Sequence, residues 1–235
     1  MEEIELDIEQ MKREMKQYLQ EQGEGMDAHE LVIFKERINH LKEMYEEYKN
    51  KRHLLKQQTD KHVSRIEHAK GGQVLHRGYY CPSLVKDKYL GNAKRGKIYK
   101  RTPKFSQYDY EYGFNNENKL VCVKKVHEFT TATDFFDEEY LLYQDNVVWG
   151  IGFNHHKELN TISKCTFDQG QLISYMYTYG FEGDFDEIYY EEYHYEDDVL
   201  KDVYIADVNV EYEQATEWNY QIRMDENGEI HLLEP

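Results

Sequence analysis

The sequence predicts an α+β fold, in which a long N-terminal helical hairpin precedes an antiparallel up-and-down β-meander. Apolar side chains in residues 1–70 recur at alternating steps of three and four, which is the period of a helix. From Tyr108 onwards aromatic and polar side chains alternate, which is the period of a strand. The 22 tyrosines, set against three prolines, also favour a pleated sheet. The chain therefore divides into helical residues 1–70, a joint over 71–107 and a Tyr-rich meander over 108–235.

Two helices are predicted in the first part. Residues 3–22 place one apolar stripe on a helix, and the glycines that follow are typical of a helix end. Asp27, with Glu30 three residues later, predicts a capping box at the start of a second helix. That helix is expected to run to about Ala69, because its apolar seam keeps an unbroken heptad pattern.

The length of the second helix points to a further partner for it. A helix over residues 28–69 would extend roughly 60 Å, about twice the length of the first helix. The uncovered half needs the sheet, a second copy of the chain or another protein. The sequence thus predicts a homo-oligomer through the helical hairpin as one arrangement.

The joint is basic and is punctuated by glycine and proline. It is expected to hold one or two short strands, with a tight turn at residues 94–97. The cations of residues 94–97, with Lys100, Arg101 and Lys104, have two interpretations, which are contact with phosphate and neutralisation of the acidic sheet from within. The second interpretation is favoured.

The meander carries a loose repeat of an aromatic residue or Met, an acidic or amide turn, and then Leu, Ile or Val. Representative copies are Phe114-NNENK-Leu120, Tyr143-QDN-Val147, Phe153-NHHKE-Leu159, Phe167-DQGQ-Leu172, Phe181-EGDFDE-Ile188, Tyr195-EDDV-Leu200 and Met224-DENGE-Ile230. A strand of about nine residues plus a turn fits this spacing and puts successive turns at opposite ends of the sheet. Eight to ten strands are expected.

This pattern resembles the tyrosine-aspartate repeats of Rhs-type proteins. It is also similar in style to the β-meander immunity proteins of bacterial polymorphic toxin systems. The resemblance covers roughly residues 108–235. It implies an immunity protein, that is, a toxin inhibitor that acts by binding a protein.

Charge is distributed unevenly along the chain, whose net charge is −17. Residues 1–70 carry −3, residues 71–125 carry +8 and residues 126–235 carry −22. The acidic part should repel free nucleic acid and attract a basic partner, because phosphate affinity requires uncompensated Lys and Arg.

The densest acidic and aromatic segment is the predicted partner-binding surface. Strand alternation puts Tyr190, Glu192 and His194 on one face and the tyrosines beside them on the other. Tyrosine supplies contact area at little entropic cost, and carboxylates guide Arg and Lys. The predicted partner-binding residues are Asp184, Asp186, Tyr189, Tyr190, Glu191, Glu192, Tyr193, Tyr195, Asp197 and Asp198. The alternative is a solvated sheet face with tyrosine ladders.

No metal, cofactor or catalytic site is predicted. The EF-hand pattern, the H-E-x-x-H motif, the G-x-S-x-G motif and phosphate-binding glycine loops are all absent from the sequence. The three cysteines, Cys81, Cys122 and Cys165, are far apart and are expected to be buried and reduced, as in the cytoplasm. The N-terminal residues lack the features of a secretory signal, and no membrane span is expected.

The function predicted from the sequence is a cytoplasmic, immunity-type inhibitor that masks a basic protein, with a nuclease toxin as the leading partner. The alternative is an oligomeric assembly protein that uses the sheet as a scaffold. A third hypothesis is an enzyme that uses scattered carboxylates.

Overall fold

The computed structural model describes residues 2–21, 25–91, 93–104, 107–126, 136–180, 183 and 185–233. Four α-helices fall within these ranges: α1 (Glu2–Glu21), α2 (Ala28–Tyr48), α3 (Arg52–His62) and α4 (Lys86–Tyr89). The strands are β1 (Arg65–Lys70), β2 (Lys97–Ile98), β3 (Tyr110–Phe114), β4 (Leu120–Val126), β5 (Phe136–Gln144), β6 (Val147–Phe153), β7 (Leu159–Asp168), β8 (Gln171–Tyr179), β9 (Glu187–Glu196), β10 (Val199–Asn209), β11 (Gln214–Met224) and β12 (Ile230–Leu233).

The strands of the described ranges form a single antiparallel sheet of 12 strands, and the molecule is α+β. From β3 to β12 each strand pairs with its neighbour in sequence, so this part is the predicted up-and-down meander. Next to β3 lies β1, and the short β2 closes that side of the sheet. The predicted period of two is therefore confirmed from β3 onwards.

The capping box predicted for the second helix is present. The Asp27 carboxylate accepts the backbone N–H groups of His29 and Glu30, at 2.7 and 2.9 Å. In return, the Glu30 carboxylate accepts the backbone N–H of Asp27 at 3.2 Å. Three N–H groups at the helix start are thereby satisfied, and α2 begins at Ala28 as expected.

The predicted end of the second helix is wrong. Helix α2 ends at Tyr48, a turn follows, and α3 ends at His62. Residues 65–70 then form β1 instead of the last helical turns. In the strand, Ala69 is fully buried and pairs with Tyr110 and Ile98, so ladder hydrogen bonds and burial outweigh the heptad pattern there.

The predicted helical hairpin is not confirmed. Helix α1 is tied to the connection between β10 and β11, where the Lys16 ammonium lies 3.0 Å from the Glu213 carboxylate. Its stripe of Met11, Met15 and Tyr18 is 62%, 49% and 57% exposed. These side chains therefore do not form a buried seam with α2. The helix end predicted at residues 22–24 lies outside the described residues.

Helices α2 and α3 cover one face of the sheet, called the helix face here. Phe34, Ile38 and Leu41 of α2 and Leu55 of α3 are buried against strand residues such as Ile151 and Tyr190. The Phe34 ring meets the Tyr190 ring edge-on, with their centroids 6.0 Å apart. The main core of the protein lies in this layer.

Replacing Leu41 with Asp is expected to lower the free energy of unfolding by about 3–5 kcal/mol, because a charge would replace a fully buried side chain. Val32→Asp is the matched control, since Val32 lies on the same helix and is 54% exposed. Chemical denaturation followed by circular dichroism measures both. Equal stability of the two variants would contradict the described core.

Candidate functional site

The other face of the sheet is crossed by the joint, which forms a strap over it. The strap consists of residues 71–91 and 93–96, and the face beneath it is called the strap face. Gly71 and Gly72 start the strap with φ angles of 85° and 81°, a conformation that favours glycine. A Cβ on Gly72 would also lie 2.6 Å from the carbonyl oxygen of Arg95, so the two ends of the strap touch.

The first anchor of the strap is a buried ion pair. The Arg77 guanidinium donates two hydrogen bonds to the Glu139 carboxylate, of 2.8 and 2.7 Å, and a third to the Ser163 hydroxyl, of 2.8 Å. Arg77 is 6% exposed and Glu139 7%. Gly150 lies beneath them, and a Cβ there would come within 1.9 Å of the Glu139 carboxylate. The anchor thus requires glycine on β6.

The charges of this pair are stable because each compensates the other. Burial alone would raise the pKa of Glu139, but the charge of Arg77 and the hydrogen bonds from Arg77 and His76 outweigh burial and hold it well below its usual value. Burial would lower the pKa of Arg77, and Glu139 reverses that effect too. Both groups remain ionised inside the protein.

His76 extends this anchor towards the tyrosines of β8. Its Nδ1 lies 2.6 Å from the Tyr175 hydroxyl and its Nε2 lies 3.2 Å from the Glu139 carboxylate. The ring stacks on Tyr177, with their centroids 5.3 Å apart. Burial lowers the pKa of His76 although Glu139 acts in the opposite direction, so the imidazole is neutral at pH 7.

The second anchor is built on Glu191, which is fully buried. Its carboxylate accepts a 2.6 Å hydrogen bond from the Ser83 hydroxyl and further hydrogen bonds from the hydroxyls of Tyr189 and Tyr193. The Tyr193 hydroxyl in turn accepts the backbone N–H of Leu84 at 3.0 Å. Burial raises the pKa of Glu191, and these donors only partly offset it.

Lys86 supplies the cation next to this second anchor. Its ammonium donates a 2.7 Å hydrogen bond to the Tyr177 hydroxyl and lies 3.5 Å from the ring centroid of Tyr189. Lys86 is only 6% exposed, and burial lowers its pKa. The tyrosine faces therefore hold a cation that water does not solvate.

Arg95 closes the strap on itself. Its guanidinium donates to the carbonyl oxygens of Cys81, at 2.7 Å, and of Ser83, and it pairs with the Asp87 carboxylate at 3.2 Å. Arg77, Lys86 and Arg95 are thus satisfied inside the protein. Of the cations to which the two interpretations of the joint apply, Arg95 is paired within the protein, whereas Lys97, Lys100 and Arg101 are exposed.

The predicted partner-binding residues do not share one surface. Tyr189, Glu191 and Tyr193 lie on the strap face and Tyr190 on the helix face, and all four are buried. The alternation predicted for β9 is correct, but the expectation of exposed tyrosine anchors there is not met, because a layer covers each face. Tyr195 is half-buried and donates to the carbonyl oxygen of Leu172.

The acidic members of the predicted set are more accessible. Glu192 is exposed, and Asp186 is half-buried and pairs with Lys42 at 3.5 Å. Asp197 and Asp198 are exposed in the turn between β9 and β10. Asp184 lies outside the described residues.

Asp197 and Asp198 belong to a row of acidic turns at one end of the sheet, called the hairpin rim. It joins β3 to β4, β5 to β6, β7 to β8, β9 to β10 and β11 to β12. Alternate hairpins recur at about 10 Å, so five turns span roughly 40 Å. The exposed carboxylates of the rim are Glu117, Asp145, Asp168, Glu196, Asp197, Asp198, Glu226 and Glu229.

Few cations compensate this rim. Glu117 pairs with Lys119 at 2.9 Å, and Glu229 lies 3.8 Å from Lys88. The other six carboxylates form no ion pair with any described residue. The rim therefore presents uncompensated negative charge to solvent.

Among the described residues, one group brings three possible metal ligands together. Asp225, Glu229 and His231 place ligand atoms within 4.8 Å of one another. However, Asp225 already accepts two backbone N–H groups at 2.9 Å and contacts His231. Cys165 is buried and free, and burial raises its pKa to about 11, which keeps the thiol protonated.

Sequence reasoning missed the two strap anchors. Arg77 and Glu139 are 62 residues apart, and Ser83 and Glu191 are 108 residues apart. No local pattern links such partners. The available signal was Glu139 itself, an acidic residue two positions before the buried Leu141 on the same face of β5.

Replacing Glu139 with Gln is expected to lower the free energy of unfolding by about 3–5 kcal/mol, because Arg77 would become an uncompensated buried cation. Glu192→Gln is the matched control, since Glu192 is exposed and its pairing with Arg37 at 3.9 Å contributes less than about 1 kcal/mol. Urea denaturation at pH 7 compares them. A loss as small as that of the control would show that the anchor is dispensable.

The same pair of variants gives a pH dependence. Because the folded-state pKa of Glu139 is lowered from 4.5, its stabilisation is complete above that pH and is lost as the pH falls. The stability difference between wild type and Glu139→Gln should therefore shrink below about pH 4.5. A difference that stays constant between pH 7 and pH 3 would contradict an ionised, buried Glu139.

Comparisons with known proteins add no relative. No protein-family model matches the chain, and no curated protein or solved structure matches it. Among the described residues, no helix combines the length and the apolar character that crossing a membrane requires. The geometry and charge of the described residues are therefore the basis for assigning a function.

Proposed function

We propose that this protein is a cytoplasmic, immunity-type inhibitor that binds a basic protein and masks it without catalysis. The hairpin rim carries the proposal, since six of its exposed carboxylates have no cation partner among the described residues. The resemblance of the meander to immunity proteins makes a nuclease toxin the leading partner.

The distribution of the charged side chains favours binding of a protein over binding of nucleic acid. Arg77, Lys86 and Arg95 are buried or internally paired, so they are not available to phosphates. The exposed cations at the β2 edge of the sheet, such as Lys97 and Arg101, lie far from the acidic strands β9–β12, which form the opposite edge. Submicromolar binding of a DNA or RNA duplex with a steep salt dependence would contradict the masking proposal.

Occlusion is the proposed mechanism. Charges on a rim steer a partner of opposite charge and accelerate association, whereas buried contacts determine dissociation. A row of turns about 40 Å long matches the footprint of a standard protein interface. A basic enzyme held there would have its Arg and Lys side chains occupied by carboxylates in place of its substrate.

Neutralising the rim is expected to weaken partner binding chiefly by slowing association. The variant combines Asp145→Asn, Asp197→Asn and Asp198→Asn, because these residues have φ angles of 49°, 49° and 64° and asparagine tolerates that conformation. Its matched control carries Glu14→Gln, Glu36→Gln and Glu43→Gln on exposed helix positions.

The measurement is affinity capture from the native host, followed by surface plasmon resonance with the captured protein at two salt concentrations. A basic partner whose association slows in the rim variant, and not in the control, supports the proposal. A captured partner that is acidic, or that binds both variants equally well, would refute rim binding.

The second candidate function is an oligomeric assembly protein. The exposed stripe of Met11, Met15 and Tyr18 on α1 favours it, because such a stripe can pack against the same stripe of a second copy. In that arrangement the predicted helical hairpin forms between copies and the sheet serves as a scaffold. Light scattering distinguishes it, since Met15→Asp would convert an oligomer to a monomer.

A further inference from the structure

A polar groove crosses the strap face at the end of the sheet opposite the hairpin rim. It consists of two hollows of about 250 and 380 Å³. The first lies between strap residues 73–77 and the sheet, and the second lies over β8 to β11. Tyr177 and Tyr179 line both hollows, so the two adjoin at these side chains.

Strand register explains the position of the groove. Gly152 pairs with Thr161, and Thr161 pairs with Tyr179, so small side chains on β6 and β7 lie beside a tyrosine. A Cβ on Gly152 would come 2.9 Å from the Cβ of Thr161. Because glycine has no side chain, the groove is deeper at this position. The strap covers the centre of the face and leaves this end open.

The lining combines amides, carboxylates and tyrosine rings. Gln73 and Asn160 line the first hollow, together with Lys125 and Asp137. Asn209 and Gln214 line the second, together with Glu187 and Asp207. Amide and carboxylate groups both form paired hydrogen bonds, and amides donate as well as accept. A matching ligand must therefore carry many groups that both donate and accept hydrogen bonds.

The two tyrosines add apolar surface in fixed positions. Tyr177 is held by stacking on His76 and by the Lys86 ammonium, 2.7 Å from its hydroxyl. Tyr179 lies two residues further along the same face, about 7 Å away. It is 55% exposed, which makes its ring accessible to a ligand.

These features disfavour three ligand classes. An extended peptide binds a sheet by adding to an edge strand, but this groove crosses paired strands whose backbone groups are already used. A nucleic acid needs several cations, whereas carboxylates outnumber cations in this lining, and Glu187 and Asp207 repel phosphate. An apolar ligand would leave the amides and carboxylates unsatisfied.

We propose that the groove binds a neutral oligosaccharide. Sugar rings present hydroxyl groups that donate and accept hydrogen bonds at their edges and C–H groups on their faces. The amides and carboxylates fit the edges, and the exposed ring of Tyr179 fits a face. This site is separate from the hairpin rim and does not rest on the proposed masking function.

The test titrates the full-length, isotope-labelled protein with neutral hexasaccharides of glucose, xylose, mannose and N-acetylglucosamine, followed by NMR. At least one should produce saturable shifts at Thr161, Tyr179 and Asn209. Tyr179→Ala should weaken that binding about tenfold or more, while Tyr179→Phe, which keeps the ring, should bind nearly as well as wild type. Tyr18→Ala is the matched control, since Tyr18 is 57% exposed on α1.

Three results would overturn the proposal. The first is the absence of saturable shifts for every hexasaccharide at millimolar concentration. The second is equal affinity of wild type and Tyr179→Ala in a folded protein, checked by the dispersion of the spectrum. The third is saturable binding of hexalysine at these residues with no binding of sugar, which would make the groove a cation site.

Discussion

The buried ion pair between Arg77 and Glu139 is the contact on which the rest of the structure depends. It fixes the strap to the middle of the sheet, and it exists because Gly150 leaves space for both side chains. A charge pair of this kind is costly to desolvate and stabilises only when its geometry and hydrogen bonds are complete. Here Arg77 donates two hydrogen bonds to Glu139 and a third to the Ser163 hydroxyl, which completes the geometry of the pair. Once the strap is fixed, Ser83 reaches Glu191 of β9 and Lys86 reaches Tyr177 of β8.

Charge separation follows from this arrangement. Three cations of the strap, Arg77, Lys86 and Arg95, are held in internal contacts. They therefore do not compensate the acidic turns of the hairpin rim. The strap also leaves one end of the strap face open, where the groove forms. One surface is thus charged and suited to steering a basic protein. The other is lined by amides, tyrosines and an excess of carboxylates, and is suited to a ligand of hydroxyl groups. The two proposed activities use opposite ends of the sheet.

Local patterns predicted the parts of the fold that depend on neighbours in sequence. Alternation placed Tyr189 and Tyr190 on opposite faces, and the spacing of Asp27 and Glu30 located the start of α2. Patterns failed where distant contacts decide. Ala69 fits the heptad pattern of a helix but pairs with Tyr110 in a strand. Tyr193 was expected to be exposed, but the strap covers it and the backbone N–H of Leu84 donates to its hydroxyl. Of the rim carboxylates, only Asp197 and Asp198 belong to the residues predicted from the sequence, and the buried anchors were missed.

Hydrogen exchange of a Gly150→Ala variant tests most directly whether the ion pair holds the strap. The added methyl group would collide with the Glu139 carboxylate and break the pair without changing any charge. If the ion pair holds the strap, strap amides, including those of Leu84 and Lys86, exchange much faster in the variant than in wild type. Amides of α2 and of its contacts on the helix face stay protected. Strap amides that remain as protected as in wild type, in a variant that still folds, would contradict this role of the ion pair.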